Sequence, residues 1–241
     1  MFSDDQTIMT TLEERLAGVR QRIAQACEAA GRDRASVSLL AVSKLQPAQA
    51  VRQAQQAGQR AFGENYVQEA LDKMAALADL RPAMEWHLIG PLQSNKTRTV
   101  AEAFDWVHSV DRLKIAQRLS DQRPPGLPPL NICLQVNISG EASKSGLAPG
   151  ELPDVARAAA ALPRLRLRGL MAIPEPAQGF DAQRAPHRAL RLLQQQLQAQ
   201  GLELDTLSIG MSDDLEAAVA EGSTMVRVGT AVFGARPRGN A

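Results

Sequence analysis

The chain has 241 residues and a formal net charge of +1, so it is long enough for one large core and has no overall attraction for nucleic acid or anionic lipid. Its only two cysteines, Cys27 and Cys133, lie on unrelated predicted elements without metal-ligand spacing, so neither a disulfide framework nor a zinc site is indicated. Neither a leader segment nor an apolar run near the roughly 18 residues of a membrane span is present. We expect a soluble cytoplasmic protein without nucleic-acid or membrane partners, and take a monomer as the default.

Repeated strand and helix patterns follow an N-terminal helix. That helix is predicted over 6–30, where Leu12, Leu16, Val19, Ile23 and Cys27 recur at spacings of three and four. Strands are predicted at 38–44, 60–65, 85–90, 105–110, 130–138, 167–173, 206–210 and 225–230. The helices between them are predicted at 47–58, 67–78, 97–103, 111–119, 151–162, 181–200 and 213–221.

Eight such units without a β-meander favour a single (β/α)8 TIM barrel, an α/β fold, over an open doubly wound sheet. No GxGxxG motif follows the first strand, which argues against a dinucleotide-binding fold. We predict one domain, with residues 1–34 as helix and lead-in, 35–236 as the barrel and 237–241 as a tail.

Individual side chains are assigned from local pattern. Asp111 is predicted to cap the helix after the fourth strand, and Ser212 the helix after the seventh. Trp86 and Trp106 are predicted to pack between sheet and helices.

A lysine ends the first predicted strand. The run Ser38–Lys44 is almost continuously apolar, which is typical of a strand buried on both faces. Ligands in α/β folds bind outside the carboxyl ends of the strands, so Lys44 is a candidate for chemistry. The alternative is a solvated lysine, because long charged side chains are mostly exposed.

The last two strands supply matching groups. Strand seven leads into Met211 and Ser212 and strand eight into Gly229 and Thr230, where barrels of this class bind phosphate. Arg227 lies within an apolar strand and must be paired with a core carboxylate or a ligand. Together with Lys44, these groups suggest a phosphorylated carbonyl compound held as a Schiff base. The same residues also allow another interpretation, an aldolase that forms a Schiff base on Lys44 without PLP.

Several long motifs carry a family resemblance. In chain order they are AVSKLQP, AFGENYVQEA, EWHLIGPLQSNK, the loop SKSG, LRGLMAIP and GMSDDLEAAVAEGSTMVRVGTAVFGAR. They resemble the YggS/PROSC family of pyridoxal 5′-phosphate (PLP) homeostasis proteins, known as single barrels like the N-terminal domain of alanine racemase.

The resemblance implies a set of cofactor contacts. Lys44 would form the internal aldimine with PLP, and Ser212, Gly229 and Thr230 would hold the phosphate. Arg227 would face the pyridine nitrogen, Asn65 would lie beside the ring, and the Met211 backbone would line the same pocket. Two features depart from the family: Gln46 replaces a second lysine found in some members, and the tail Arg236–Ala241 lacks lysines. Lys144 is a further accessory candidate.

The resemblance also bears on catalysis. A racemase needs acid and base groups on both faces of the substrate carbanion, and this chain has no second domain to bring one. An arginine at the pyridine nitrogen would keep that nitrogen unprotonated and weaken the ring as an electron sink. We therefore predict a non-catalytic PLP-binding protein that buffers the cofactor or delivers it to apo-enzymes. A PLP-dependent amino-acid racemase is the alternative.

Overall fold

The computed structural model describes residues 10–140 and 145–235. Its parallel strands are β1 (Ser38–Val42), β2 (Ala61–Glu64), β3 (Glu85–Leu88), β4 (Trp106–Val110), β5 (Leu130–Gln135), β6 (Leu165–Met171), β7 (Thr206–Ser208) and β8 (Met225–Val228). Each strand pairs with the next, and β1 also pairs with β8, which closes the barrel. The predicted (β/α)8 TIM barrel is confirmed.

The helices surround the strands. They are α1 (Leu12–Ala29), α2 (Ala48–Gln56), α3 (Val67–Ala76), α4 (Thr97–Ala103), α5 (Leu113–Gln122), α6 (Leu152–Ala160), α7 (Phe180–Ala199), α8 (Leu215–Ala220) and α9 (Thr230–Phe233). The main apolar core lies between this helical layer and the outward faces of the strands. In the described ranges, no helix combines the length and the apolar character needed to cross a membrane.

The N-terminal helix packs on the closing side of the barrel. A capping box joins Thr11 and Glu14 at its start, so both backbone N–H groups of the cap are satisfied. Leu16, Val19 and Ile23 are buried on its inner face, as their spacing predicts. This face contacts α8 and α9, which follow the last two strands.

The barrel interior contains a row of polar side chains. Strands β4 and β7 are not neighbours in the closed sheet, so a contact between their side chains must cross the interior. His108 Nδ1 lies 2.8 Å from Ser208 Oγ, and His108 Nε2 lies 2.9 Å from His87 Nδ1. The interior therefore contains a hydrogen-bonded row of side chains where TIM barrels commonly hold branched apolar residues.

Trp106 belongs to this interior, and its predicted place between sheet and helices is wrong. Its ring stacks on that of His87 at a centroid distance of 5.2 Å, and the Arg168 guanidinium lies 4.6 Å from its centroid. The strand alternates its side chains between two faces, and a run buried throughout gives no sign of which face points inward. Trp86, in contrast, packs in the main core against Phe62, as predicted.

Both predicted side-chain caps are also wrong. Arg112 occupies the cap position of α5, and Asp111 pairs instead with its guanidinium at 2.7 Å. Asp214 occupies the cap position of α8. Its Oδ1 accepts a hydrogen bond from the Met211 N–H at 2.6 Å, so the turn before α8 is closed by a residue two positions beyond Ser212.

Candidate functional site

A cavity of about 570 Å³ opens at the carboxyl ends of the strands. The seven residues that the family resemblance assigns to the cofactor all line it: Lys44, Asn65, Met211, Ser212, Arg227, Gly229 and Thr230. Gln46 and Asp213 add polar groups, and Val42, Ile89 and Ile173 supply apolar walls. The structure therefore brings Lys44 to the same cavity as Thr230, which lies 186 positions later in the chain. Lys144 lies outside the described residues.

Lys44 lies in the turn after β1 rather than on the strand. The strand ends at Val42, and Leu45 has φ of 61°, a left-handed conformation that leucine rarely adopts. Backbone hydrogen bonds fix the turn: Ser43 N–H donates to Gly63 O at 2.9 Å, and Gln46 N–H donates to Ser43 O at 3.0 Å. The lysine is thus carried by a backbone that is constrained on both sides.

Asn65 follows β2 and closes one side of the cavity. A Cβ on Gly90 would lie 2.2 Å from the Asn65 carbonyl oxygen, so only glycine allows the loop after β3 to pass this closely. The Asn65 Oδ1 atom is buried and has no hydrogen-bond partner among the residues that the structure describes. An unpaired buried acceptor is costly, so this atom is suited to a ligand donor.

Arg227 is buried beneath the cavity. Its guanidinium donates to Ser208 O at 2.5 Å, to Ser208 Oγ at 2.9 Å and to Ala172 O at 2.9 Å. Burial lowers the pKa of Arg227 to about 10, while Asp214 acts in the opposite direction. The side chain stays protonated at neutral pH, so a fixed positive charge lies under the cavity.

Asp214 and His187 shape the turn that carries Met211 and Ser212. His187 Nε2 lies 2.9 Å from Asp214 Oδ2, while the other carboxylate oxygen accepts from Met211 N–H. Burial by itself raises the pKa of Asp214, but these hydrogen bonds outweigh it and the pKa lies below its ordinary value. The carboxylate therefore remains charged and holds the turn.

The N-terminal helix also reaches this turn. Arg22 on α1 donates to the Ser212 carbonyl oxygen at 2.7 Å and forms a two-point contact with Glu216 at 2.5 and 2.6 Å. The apolar spacing in the sequence predicts only a packing role for α1. In the sequence Arg22 is one charged residue on the outer face of an amphipathic helix, so no local signal indicates this contact.

Residues 15–237 match the family model described as the alanine racemase N-terminal domain. A pyridoxal phosphate homeostasis protein of Pseudomonas aeruginosa is 65% identical over 96% of this chain and 98% of its own length. One from Escherichia coli is 55% identical over 95% and 98%, respectively. This chain belongs to the family of pyridoxal phosphate homeostasis proteins.

Solved structures agree with the family assignment. PipY of Synechococcus elongatus, determined with PLP bound, superposes with a TM-score of 0.82 at 42% identity, covering 93% of this chain and 100% of its own. An alanine racemase from Clostridium difficile superposes with a TM-score of 0.71 at 10% identity, and this likeness concerns the fold alone. Only 58% of that racemase chain is covered, whereas the homeostasis proteins match along nearly their whole length.

The interior histidines should make folding stability depend on pH. Burial lowers the pKa of His87 below its ordinary value of 6.5 and that of His108 well below it, so both are neutral at pH 7 and take up protons at a lower pH than in the unfolded chain. Below about pH 6.5 the unfolded chain binds protons that the folded protein does not. The free energy of unfolding should therefore fall as pH decreases through this window.

His108→Asn should make the free energy of unfolding depend less steeply on pH, by up to about 1.4 kcal/mol per pH unit. Urea unfolding of the wild type and variant from pH 8 to pH 5 measures the slope, and the value at pH 8 reports any loss of packing separately. If the free energy of unfolding changes with pH equally steeply in the wild type and in His108→Asn, the assignment of neutral His108 is wrong.

Proposed function

We propose that this protein binds PLP through a Schiff base on Lys44 and acts in PLP homeostasis, as a cytoplasmic monomer that buffers the cofactor or delivers it to apo-enzymes. The observation that carries the proposal is the cavity in which Lys44 meets Arg227 and the loop ends at Ser212, Gly229 and Thr230. Family membership supports the same ligand, since PipY was solved with PLP bound.

The lining fits the chemical parts of PLP. Val42, Ile89 and Ile173 offer apolar surfaces for the faces of an aromatic ring. The hydroxyls of Ser212 and Thr230 are suitable donors for the phosphate group. The described residues that line the cavity thus offer a hydrogen-bond donor or an apolar surface to each chemical group of PLP.

Two cations would act at different points. PLP, when bound, supplies an aldehyde carbon that condenses with an amine and releases one water. Lys44 would provide that amine in its neutral form, since only the free lone pair can form the C=N bond. Arg227 would offer an N–H donor to the pyridine nitrogen and, being charged, would disfavour protonation of that nitrogen.

This arrangement favours holding the cofactor over catalysis. An unprotonated ring withdraws electrons less, so a substrate carbanion would be stabilised less. The described residues that line the cavity include one amine, Lys44, and one carboxylate, Asp213, but neither a tyrosine nor a histidine. We therefore infer little or no racemase activity.

Replacement of Lys44 should abolish covalent binding. Wild-type protein incubated with PLP should develop an absorption band in the visible region, and borohydride reduction followed by peptide mapping should place the cofactor on Lys44. Lys44→Ala should show neither the band nor the reduced adduct, whereas Lys114→Ala, which removes an exposed lysine of α5, should behave as the wild type.

Delivery is then measured by mixing the loaded protein with an apo-enzyme and following recovery of that enzyme's activity. Faster recovery than with the same concentration of free PLP supports delivery, and recovery limited by spontaneous release supports buffering. A reduced adduct on any other lysine, or wild-type protein that retains no PLP, would refute the site.

The phosphate contacts predict a selective loss of affinity. Ser212→Ala and Thr230→Val should each weaken PLP binding about tenfold, because a hydrogen bond to a charged group contributes roughly 1.5 kcal/mol. Binding of pyridoxal, which lacks the phosphate, should change little. Equilibrium titration with both compounds tests this, and an equal loss for the two would place the phosphate elsewhere.

A PLP-dependent racemase would exchange the hydrogen on Cα of its amino-acid substrate with solvent. Because we infer little or no racemase activity, loaded protein incubated in D2O with a panel of L-amino acids should show no cofactor-dependent deuterium incorporation above that of free PLP. The measurement is mass spectrometry of the recovered amino acids. Exchange with turnover, abolished in Lys44→Ala, would instead establish an enzyme.

A further inference from the structure

A buried lysine lies directly behind the turn that carries Lys44. Lys73 on α3 is only 5% exposed, and its ammonium donates to three oxygens: Ser43 O at 2.6 Å, Glu64 Oε1 at 2.7 Å and Glu69 Oε1 at 2.6 Å. An ammonium group has three N–H donors, so all of them are used. We refer to Lys73, Glu64 and Glu69 as the Lys73 clamp.

The Lys73 clamp holds the residues on both sides of Lys44. On one side, Ser43 accepts from Lys73 through its carbonyl oxygen and donates its hydroxyl to Glu64 Oε1 at 2.6 Å. On the other side, the Leu45 N–H donates to Glu69 Oε1 at 2.5 Å. One buried cation therefore ties together three elements, the turn after β1, the end of β2 and the first turns of α3.

The contact with Leu45 coincides with backbone strain. Leu45 has φ of 61°, where a Cβ crowds the backbone, and its side chain is 47% exposed. Burial of the leucine side chain therefore does not explain the conformation. The hydrogen bond to Glu69 fixes the amide of the strained residue, so the conformation depends on the Lys73 clamp.

The charges of the Lys73 clamp are poorly suited to a purely structural purpose. It contains two carboxylates and one ammonium, and the Glu64 side chain is fully buried. Within the described part of the chain, Glu64 Oε2 has no hydrogen-bond partner. Burial raises the pKa of Glu64 despite the adjacent ammonium. Replacing such a group by apolar side chains often leaves stability unchanged or raises it, so another role is indicated.

We propose that the Lys73 clamp positions Lys44, fixing the turn so that the lysine amine is held at the cofactor cavity, and thereby sets how fast PLP is released. The proposal rests on the proposed function for the identity of the ligand. Lys73, Glu64 and Glu69 act through the backbone beside Lys44 and are positioning residues. A fixed amine has a high effective concentration at the aldehyde carbon, so re-formation of the C=N bond competes with escape.

Glu69→Ala is the variant that tests the Lys73 clamp with least disturbance of the core. It removes the contacts with Leu45 and Lys73, leaves Glu64 paired with Lys73, and places a strong helix former on α3. Glu69→Gln keeps an acceptor oxygen at the same position without the charge. Glu102→Ala removes an exposed carboxylate of α4 and is the matched control.

The first measurement needs no cofactor. In the apo-protein, hydrogen exchange at the amides of 43–46 should be at least tenfold faster in Glu69→Ala than in the wild type, with Glu69→Gln in between and Glu102→Ala unchanged. Exchange in α7 should stay the same in all four proteins, which separates loosening of the turn from global destabilisation. Unchanged exchange at 43–46 in Glu69→Ala would overturn the proposal.

The second measurement uses the loaded protein. Release of PLP into excess apo-enzyme should be about tenfold faster from Glu69→Ala, and borohydride should still place the cofactor on Lys44. If wild-type protein forms this adduct but Glu69→Ala releases PLP at the wild-type rate, the Lys73 clamp has no positioning role. If wild-type protein forms no adduct on Lys44, the proposed function fails, while the exchange measurement still tests the turn.

Discussion

The guanidinium of Arg227 lies inside the barrel, where an unpaired charge would be strongly destabilising. Its hydrogen bonds to Ser208 and Ala172 require the ends of β6 and β7 to stay in place, and Ser208 is in turn held by His108 from the opposite wall. Burial keeps both interior histidines neutral, so they add no repulsion to the buried cation. These polar groups thus satisfy one permanent charge beneath the cavity.

A second buried cation, Lys73, lies behind the turn that carries Lys44. Lys73 differs from Arg227 in having carboxylate partners, and its contacts fix a turn rather than a charge beneath the cavity. Each cation is matched to what surrounds it. The planar guanidinium of Arg227 donates to fixed oxygens of Ser208 and Ala172. The compact ammonium of Lys73 joins the turn after β1, the end of β2 and α3, which meet at one point. Both arrangements trade stability for a defined geometry at the cavity.

The strands were predictable because apolar runs separated by helical patterns determine the order of a barrel, and the carboxyl ends of its strands determine where Lys44, Ser212 and Thr230 meet. Contacts between distant elements were not predictable. Lys73 and Glu69 are four residues apart on one helix, a spacing that usually indicates a solvated pair. Their burial follows only from the packing of α3 on the turn after β1. Arg22, Asp111 and Ser212 show the same limit, since local pattern does not determine the partner of a polar side chain.

A protein that stores a reactive cofactor has to hold it and also release it. Different groups of the protein determine its affinity for the cofactor and the rate of release. Contacts with the phosphate and ring determine affinity, and they can be strong without any cost to chemistry. In the proposed function, release would require hydrolysis of the bond between PLP and Lys44 and departure before that bond forms again, so its rate would depend on how long the amine stays in position. If the contact with Glu69 opens, Leu45 is free to leave its left-handed conformation and the lysine can move with it. Affinity and release rate could then change independently, which a single rigid pocket does not permit.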